Sequence, residues 1–214
     1  VLNTATNAVA YTDTAANLIS AFDGITSHTG GLTVSDTGAV SAADLNKINT
    51  FTAGNTFVTA ASEFTGSAAE LVAAVGDVTQ GQNVALTITG TTPAIIAELK
   101  AINAATNGAL VLNPQTIAAN LGGTATELAA AFDGITTSTG VVTITDTTPA
   151  TIAELLTINA ATDKPPVLNA ETNAANLNGT ATELAAAFSG ITTSTGALTI
   201  TGTTPATIAE LITI

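Results

Sequence analysis

The sequence predicts an α/β protein: a right-handed solenoid of about eight strand-turn-helix coils with a narrow parallel sheet. Three observations carry that expectation. First, the chain repeats: Phe22, Val75, Phe132 and Phe188 follow one another at 53, 57 and 56 residues, and Asp36, Gly90, Asp146 and Gly202 at 54, 56 and 56. A period of about 56 residues means units that bury their apolar side against their neighbours. Second, one strand per repeat alternates apolar and hydroxyl residues. Third, each repeat carries two helix-start signals, which divides it into two coils of about 28 residues. The repeats run over 1–53, 54–109, 110–165 and a truncated 166–214, within a single solenoid domain.

The first half of a repeat opens with a short Val-Leu-Asn strand at Val1, Val111 and Val167, in each case 21 residues before the phenylalanine. In the second repeat the matching strand is Phe57-Val58, and about three residues of the following bend are missing. A helix follows. Ser67 with Glu70, Thr124 with Glu127 and Thr180 with Glu183 fit a capping box, in which hydroxyl and carboxylate satisfy the free first-turn amides. Leu128, Phe132 and Ile135 form its inward face. Asp23-Gly24, Gly76-Asp77, Asp133-Gly134 and Ser189-Gly190 are expected to interrupt it.

The second half opens with the alternating strand. Leu32/Val34, Leu86/Ile88, Val142/Ile144 and Leu198/Ile200 take the core side, and Thr33/Ser35, Thr87/Thr89, Thr143/Thr145 and Thr199/Thr201 the wet side. A Thr-Pro step follows at Thr92, Thr148 and Thr204, placing a cap hydroxyl before a proline whose missing amide costs nothing at the first helical position. The first repeat replaces the proline with Ala39-Val40 and uses Ser41 with Asp44. Ile152, Leu155 and Ile158 point inward along this second helix. Asn49, Asn103 and Asn159 recur at its end as a candidate ladder, their amides bonding the backbone of adjacent coils. A parallel β-helix, with the Ala-rich segments as turns, is the competing fold.

Composition narrows the function. Sixteen acidic residues against three lysines and no arginine give a net charge of −13. Such a surface disfavours phosphate backbones and anionic membranes. No apolar run is long enough to span a bilayer, and no basic region precedes an apolar one as in a signal peptide. The chain begins without Met and ends inside a repeat, which reads as a segment of something longer. Without cysteine there is no disulfide scaffold.

A search for reactive groups finds little. His28, the sole histidine, lies in the turn Thr-Ser-His-Thr-Gly, where an exposed position is expected. With no cysteine and one histidine, the common nucleophile–base triads and zinc sites have no residues to build them. The recurring glutamates are accounted for by capping. Calcium needs six or more clustered oxygens, whereas Asp36, Asp133 and Asp146 are isolated within their motifs, so no cofactor is expected and calcium at most at an edge. The Thr-x-Thr rows are the one candidate surface-binding face.

Three resemblances bear on the whole. The coil logic resembles leucine-rich repeats, without their consensus. The recurring T-I-x-T-x-x-P-A…A-E-L…I-N-A-A-T is similar to tandem arrays in giant secreted or surface proteins of cyanobacteria and other aquatic bacteria, and that likeness implies an extracellular structural or adhesive role. The hydroxyl rows resemble the flat threonine faces of ice-binding solenoids. Together these point to a non-enzymatic structural repeat protein at the cell surface or outside the cell, forming a stalk, filament or surface-layer element. Its partners would be copies of itself joined end to end, or adjacent repeats of a longer chain. The alternative is a module that binds ice or glycan through the threonine face.

Overall fold

A computed structural model describes residues 2–25, 27–80 and 83–214. It has an α/β architecture of repeating strand-turn-helix units with parallel sheets, in two compact units: residues 1–94 with 104–113, and residues 95–103 with 114–214.

In the first unit the order is α1 (Thr4–Asn7), β1 (Tyr11–Asp13), α2 (Ala15–Phe22), β2 (Leu32–Val34), β3 (Ala39–Ser41), α3 (Ala42–Asn49), β4 (Thr56–Val58), β5 (Glu63–Gly66), α4 (Ala68–Asp77), β6 (Val78–Thr79), β7 (Ala85–Ile88) and, after an excursion into the second unit, β8 (Leu110–Val111). Two parallel sheets form, β1-β2-β4-β6 and β3-β5-β7-β8. The inner coils thus give a short strand to each sheet before entering a helix, in place of the single strand per coil expected from the alternation alone. The apolar side of that alternation packs inward: Leu32, Val34, Phe64, Leu86 and Ile88 are buried against Leu45, Ile48 and Leu71 of the helices. Each such side chain contributes about 1.5–3 kcal/mol on burial. Val1, the start of the first expected Val-Leu-Asn strand, lies outside the described residues. Asn3 caps α1 by accepting from the Thr6 amide, so the first copy turns into a helix there and not a strand.

The second unit comprises α5 (Ile96–Ala104), α6 (Pro114–Ala118), β9 (Leu121–Gly123), α7 (Ala125–Phe132), β10 (Val142–Ile144), α8 (Ile152–Ala161), α9 (Ala170–Ala174), β11 (Leu177–Gly179), α10 (Ala181–Ala187), β12 (Leu198–Ile200) and α11 (Ile208–Thr213). Its sheets are only two strands wide, β9 with β10 and β11 with β12, both parallel. A single bridge ties Val167 to Thr143. The helices pack in succession, α7 on α8, α8 on α10 and α10 on α11. Leu128, Leu155, Ile158 and Leu184 lie fully buried between them.

Ser67, Thr124 and Thr180 form complete capping boxes with Glu70, Glu127 and Glu183. Thr148 and Thr204 do not cap. The second helix type starts three residues later, at Thr151 with Glu154 and Thr207 with Glu210. The physical reason is that the Thr-Pro step forms an extended turn, and the hydroxyl–carboxylate pair that can reach the first-turn amides follows it. Ser41 holds the same place in the first copy. Gly24, Gly134 and Gly190 have φ of 76°, 73° and 76° and end their helices, whereas Gly76 lies inside α4, which continues to Asp77.

Candidate functional site

The strand hydroxyls expected as a binding face are distributed differently in the two units. Thr33 lies beside Thr12 and Phe57, and Thr87 beside Thr65 and Val111. Thr143 lies beside Gly122 and Val167, and Thr199 beside Asn178. No two of these four threonines are partners in a sheet, because the strand between successive copies always comes from the other half-repeat. Ser35, although half-buried, donates its amide to Asp13, while Thr89, Thr145 and Thr201 are exposed and donate theirs to Gly66, Gly123 and Gly179. The hydroxyls therefore occur as short isolated groups.

What does recur from copy to copy is side-chain bonding to the backbone of a neighbouring coil. Asn103 Nδ2 donates to the carbonyls of Ala130 (3.1 Å) and Asp133 (2.9 Å), and Asn159 Nδ2 to Ala186 (2.9 Å) and Ser189 (3.1 Å). Asn49 instead accepts from Thr56 Oγ1, and Asn46 reaches the next helix, donating to the Glu70 carbonyl. A second asparagine series was not singled out in the sequence. Asn113 Nδ2 donates to Gly90 and Thr92 at 3.1 and 3.0 Å, and Asn169 Nδ2 to Asp146 and Thr148 at 2.6 and 3.1 Å. These are the asparagines of Val-Leu-Asn, and their recurrence two residues after Val111 and Val167, as Asn3 follows Val1, was the available signal. A threonine series does the same: the hydroxyls of Thr52, Thr106 and Thr162 donate to the carbonyls of Gly30, Val84 and Gly140.

Carboxylates are absorbed by the same scheme. The Thr124 amide and hydroxyl hold Glu127 below the usual carboxylate range, and the Thr180 pair does so for Glu183. At Glu154, burial pushes upward but is outweighed by donors from the Thr126 hydroxyl and from Thr151, leaving it lowered. Thr126 and Thr182 donate to Glu154 and Glu210 across 28 residues, one coil away. Each glutamate thus caps its own helix, and two also bond the helix before.

His28 is not exposed. It is fully buried, with its ring 4.8 Å from that of Phe22 and 5.6 Å from that of Tyr11. Phe51 stacks on Phe22, their ring centroids 6.4 Å apart. The cause is its alignment: His28 bridges Thr52 as Ser138 bridges Thr162, and this turn position faces inward in both. Neither ring nitrogen has a hydrogen-bond partner, and burial lowers its pKa from the ordinary histidine value.

Among the described residues no group of three or more His, Cys, Asp or Glu side chains could hold a metal ion, and no helix is long and apolar enough to cross a membrane. One open, hydroxyl-rich crevice of the second unit is lined by Thr180, Thr182, Thr201, Thr204, Thr207 and Glu210. Comparison with protein families, with curated proteins and with solved structures finds no match to this chain.

Proposed function

We propose that the chain is a non-enzymatic structural repeat protein of the cell exterior, related to the tandem arrays of large bacterial surface proteins and serving in a stalk, filament or surface layer. The observation that carries this reading is where the polar side chains are used. Asparagine, threonine and glutamate recur at fixed positions and bond the backbone or a hydroxyl of the next coil, at separations of 27 to 30 residues along the helices. Conserved geometry that converges on one place supports chemistry; here it is spread evenly along the repeat and supports length. The coils are taken to wind right-handed, as parallel strands joined through a covering helix do.

The low lysine content and the net charge of −13 fit an acidic, well-solvated exterior surface. Binding of ice or glycan by the threonine groups is the weaker reading, because Gly122 and Asn178 interrupt the hydroxyl rows. Electron microscopy of the native material tests the proposal. Filaments, stalks or a two-dimensional lattice are expected, and uniformly compact, dispersed particles would overturn it.

A further inference from the structure

The turn that carries His28 has a close copy in the second unit. Thr29 and Gly30 donate their amides to the Asn7 carbonyl, as Thr139 and Gly140 do to that of Ile117. The His28 carbonyl accepts from the Ala53 amide and the Ser138 carbonyl from the Asp163 amide, so each turn is tied in the same way to the coils on its two sides. What differs is the side chain folded beneath, an imidazole in one turn and a hydroxyl in the other. Both are buried.

The imidazole lies against the rings of Tyr11 and Phe22, and neither of its nitrogens finds a hydrogen-bond partner. A neutral ring is tolerated in such a place, but an imidazolium is not, because a buried charge needs a partner. The charged groups on the surrounding elements are engaged elsewhere. Asp13 of β1 accepts from the Thr14 amide and the Asn17 side chain, and Asp23, which ends α2, faces Lys47 of α3 at 3.5 Å on the surface. Asp36, beyond β2, accepts from the Ala15 amide. The segments 3–9 and 50–55 carry no charged side chain. Among the described residues no carboxylate lies within ion-pair distance of the ring. Apart from that ring the turn is held by hydrogen bonds, including the Thr29 hydroxyl to the Asn7 carbonyl and the Thr52 hydroxyl to the Gly30 carbonyl, and Ser27 and Thr29 on either side are exposed. Opening so small a segment costs less than unfolding the sheets behind it.

We propose that the His28 turn is an acid-opened latch: once the ring takes up a proton, the turn swings out, releasing Asn7 and Ala53 and uncovering Phe22, while the sheets of the first unit and the Ser138 turn stay folded. Acid thereby exposes apolar surface at one chosen coil. Ser138 leaves its own turn without a group that titrates, so the response belongs to the first repeat and not to the fold in general.

Backbone amide exchange in the native chain between pH 7 and 5, read as protection relative to the unstructured rate at each pH, tests this with an internal control. In the open turn the ring titrates at about 6.5, so protection of the Thr29, Gly30 and Ala53 amides is expected to fall by about tenfold or more across this range. Thr139, Gly140 and Asp163 should keep theirs, as should Leu71 and Leu86 within the first unit. If the two turns behave alike, or if Leu71 and Leu86 lose protection together with Thr29, there is no local latch and the proposal is overturned. In the His28→Ser chain the fall should vanish, and its persistence would assign the opening to another group and overturn the proposal equally.

Discussion

The bend after β4 in the first unit and the bend after Val167 in the second begin at equivalent places and end differently. From Phe57 to the cap at Ser67 there are 10 residues, and from Val167 to the cap at Thr180 there are 13. The shorter bend runs straight into β5, which pairs with β3 on one side and β7 on the other, and the Ser62 amide donates to the Gly38 carbonyl. The longer bend has room for α9, and a strand cannot form over the same residues. The carbonyl equivalent to Gly38 is that of Thr148, and it receives the side chain of Asn169 instead. The amide of Ala150 is met by the Thr172 hydroxyl. Three residues thus decide whether neighbouring coils are joined by backbone or by side chains. Buried backbone groups find partners either way.

The longer bend has a second consequence. It brings a carbonyl against the next coil, and that contact needs glycine: a Cβ on Gly140 would fall on the Ala119 carbonyl, and one on Gly196 on that of Ala175. Gly30 meets Val9 in the same way, whereas the short-bend copy holds a buried valine, Val84, at the equivalent position. The largest effect should therefore follow Gly140→Ala, a loss of about 3 kcal/mol because backbone must move. Urea denaturation measures it, and a cost near zero would mean that the close approach is not required.

Next comes the side-chain clamp. Asn169→Leu should cost about 2 kcal/mol, as the Asp146 and Thr148 carbonyls lose their donor and α9 loses its cap. Thr59→Ala, at the equivalent position beside the short bend, should stay within about 0.5 kcal/mol. Equal costs would erase the distinction between the two bends. A gain of about 1 kcal/mol is expected from Ile95→Thr, which supplies α5 with the cap hydroxyl that Thr151 and Thr207 give their helices, where now only Glu98 bonds the Ile95 amide. Thermal denaturation decides its sign.

The effect smallest at neutral pH belongs to His28. Its folded pKa is lowered by burial, so the unfolded chain takes up the proton first. Stability is full above the unfolded value of about 6.5 and falls as the pH drops below it, until the folded form is protonated as well. His28→Ser, the residue of Ser138, should flatten this dependence between pH 7 and 5. The cap glutamates act lower, since their lowered pKa gives stability that is lost only as pH falls through the carboxylate range. A pH profile unchanged by His28→Ser would show that the ring is not desolvated.

Local signals were legible in the sequence and relayed signals were not. Ser67, Thr124 and Thr180 announce their helices because cap and carboxylate lie within four residues. The same rule applied to Thr148 was misled by Pro149, although Ser41 in the aligned first copy already marked Thr151 as the cap. The shortened second bend was visible as a missing three residues, but that it would turn helix into strand depends on partners in β3 and β7. His28 looked like an exposed turn residue because Tyr11 and Phe22 approach it only once the coils stack. The threonine rows fall on alternate strands, as the repeat implies, but the residues beside them, Gly122 and Val167 next to Thr143 and Asn178 next to Thr199, depend on the register between strands, which alternation within one strand does not fix.

The most direct test is exchange of side-chain amide protons in the native chain, followed by NMR. Asn169 and Asn113 should exchange slowly, as groups that bond two carbonyls each, in parallel with a protected Ser62 backbone amide, while the exposed Asn178 exchanges quickly. If Asn169 and Asn113 exchange as fast as Asn178, the coils of the longer bend are not joined by these side chains.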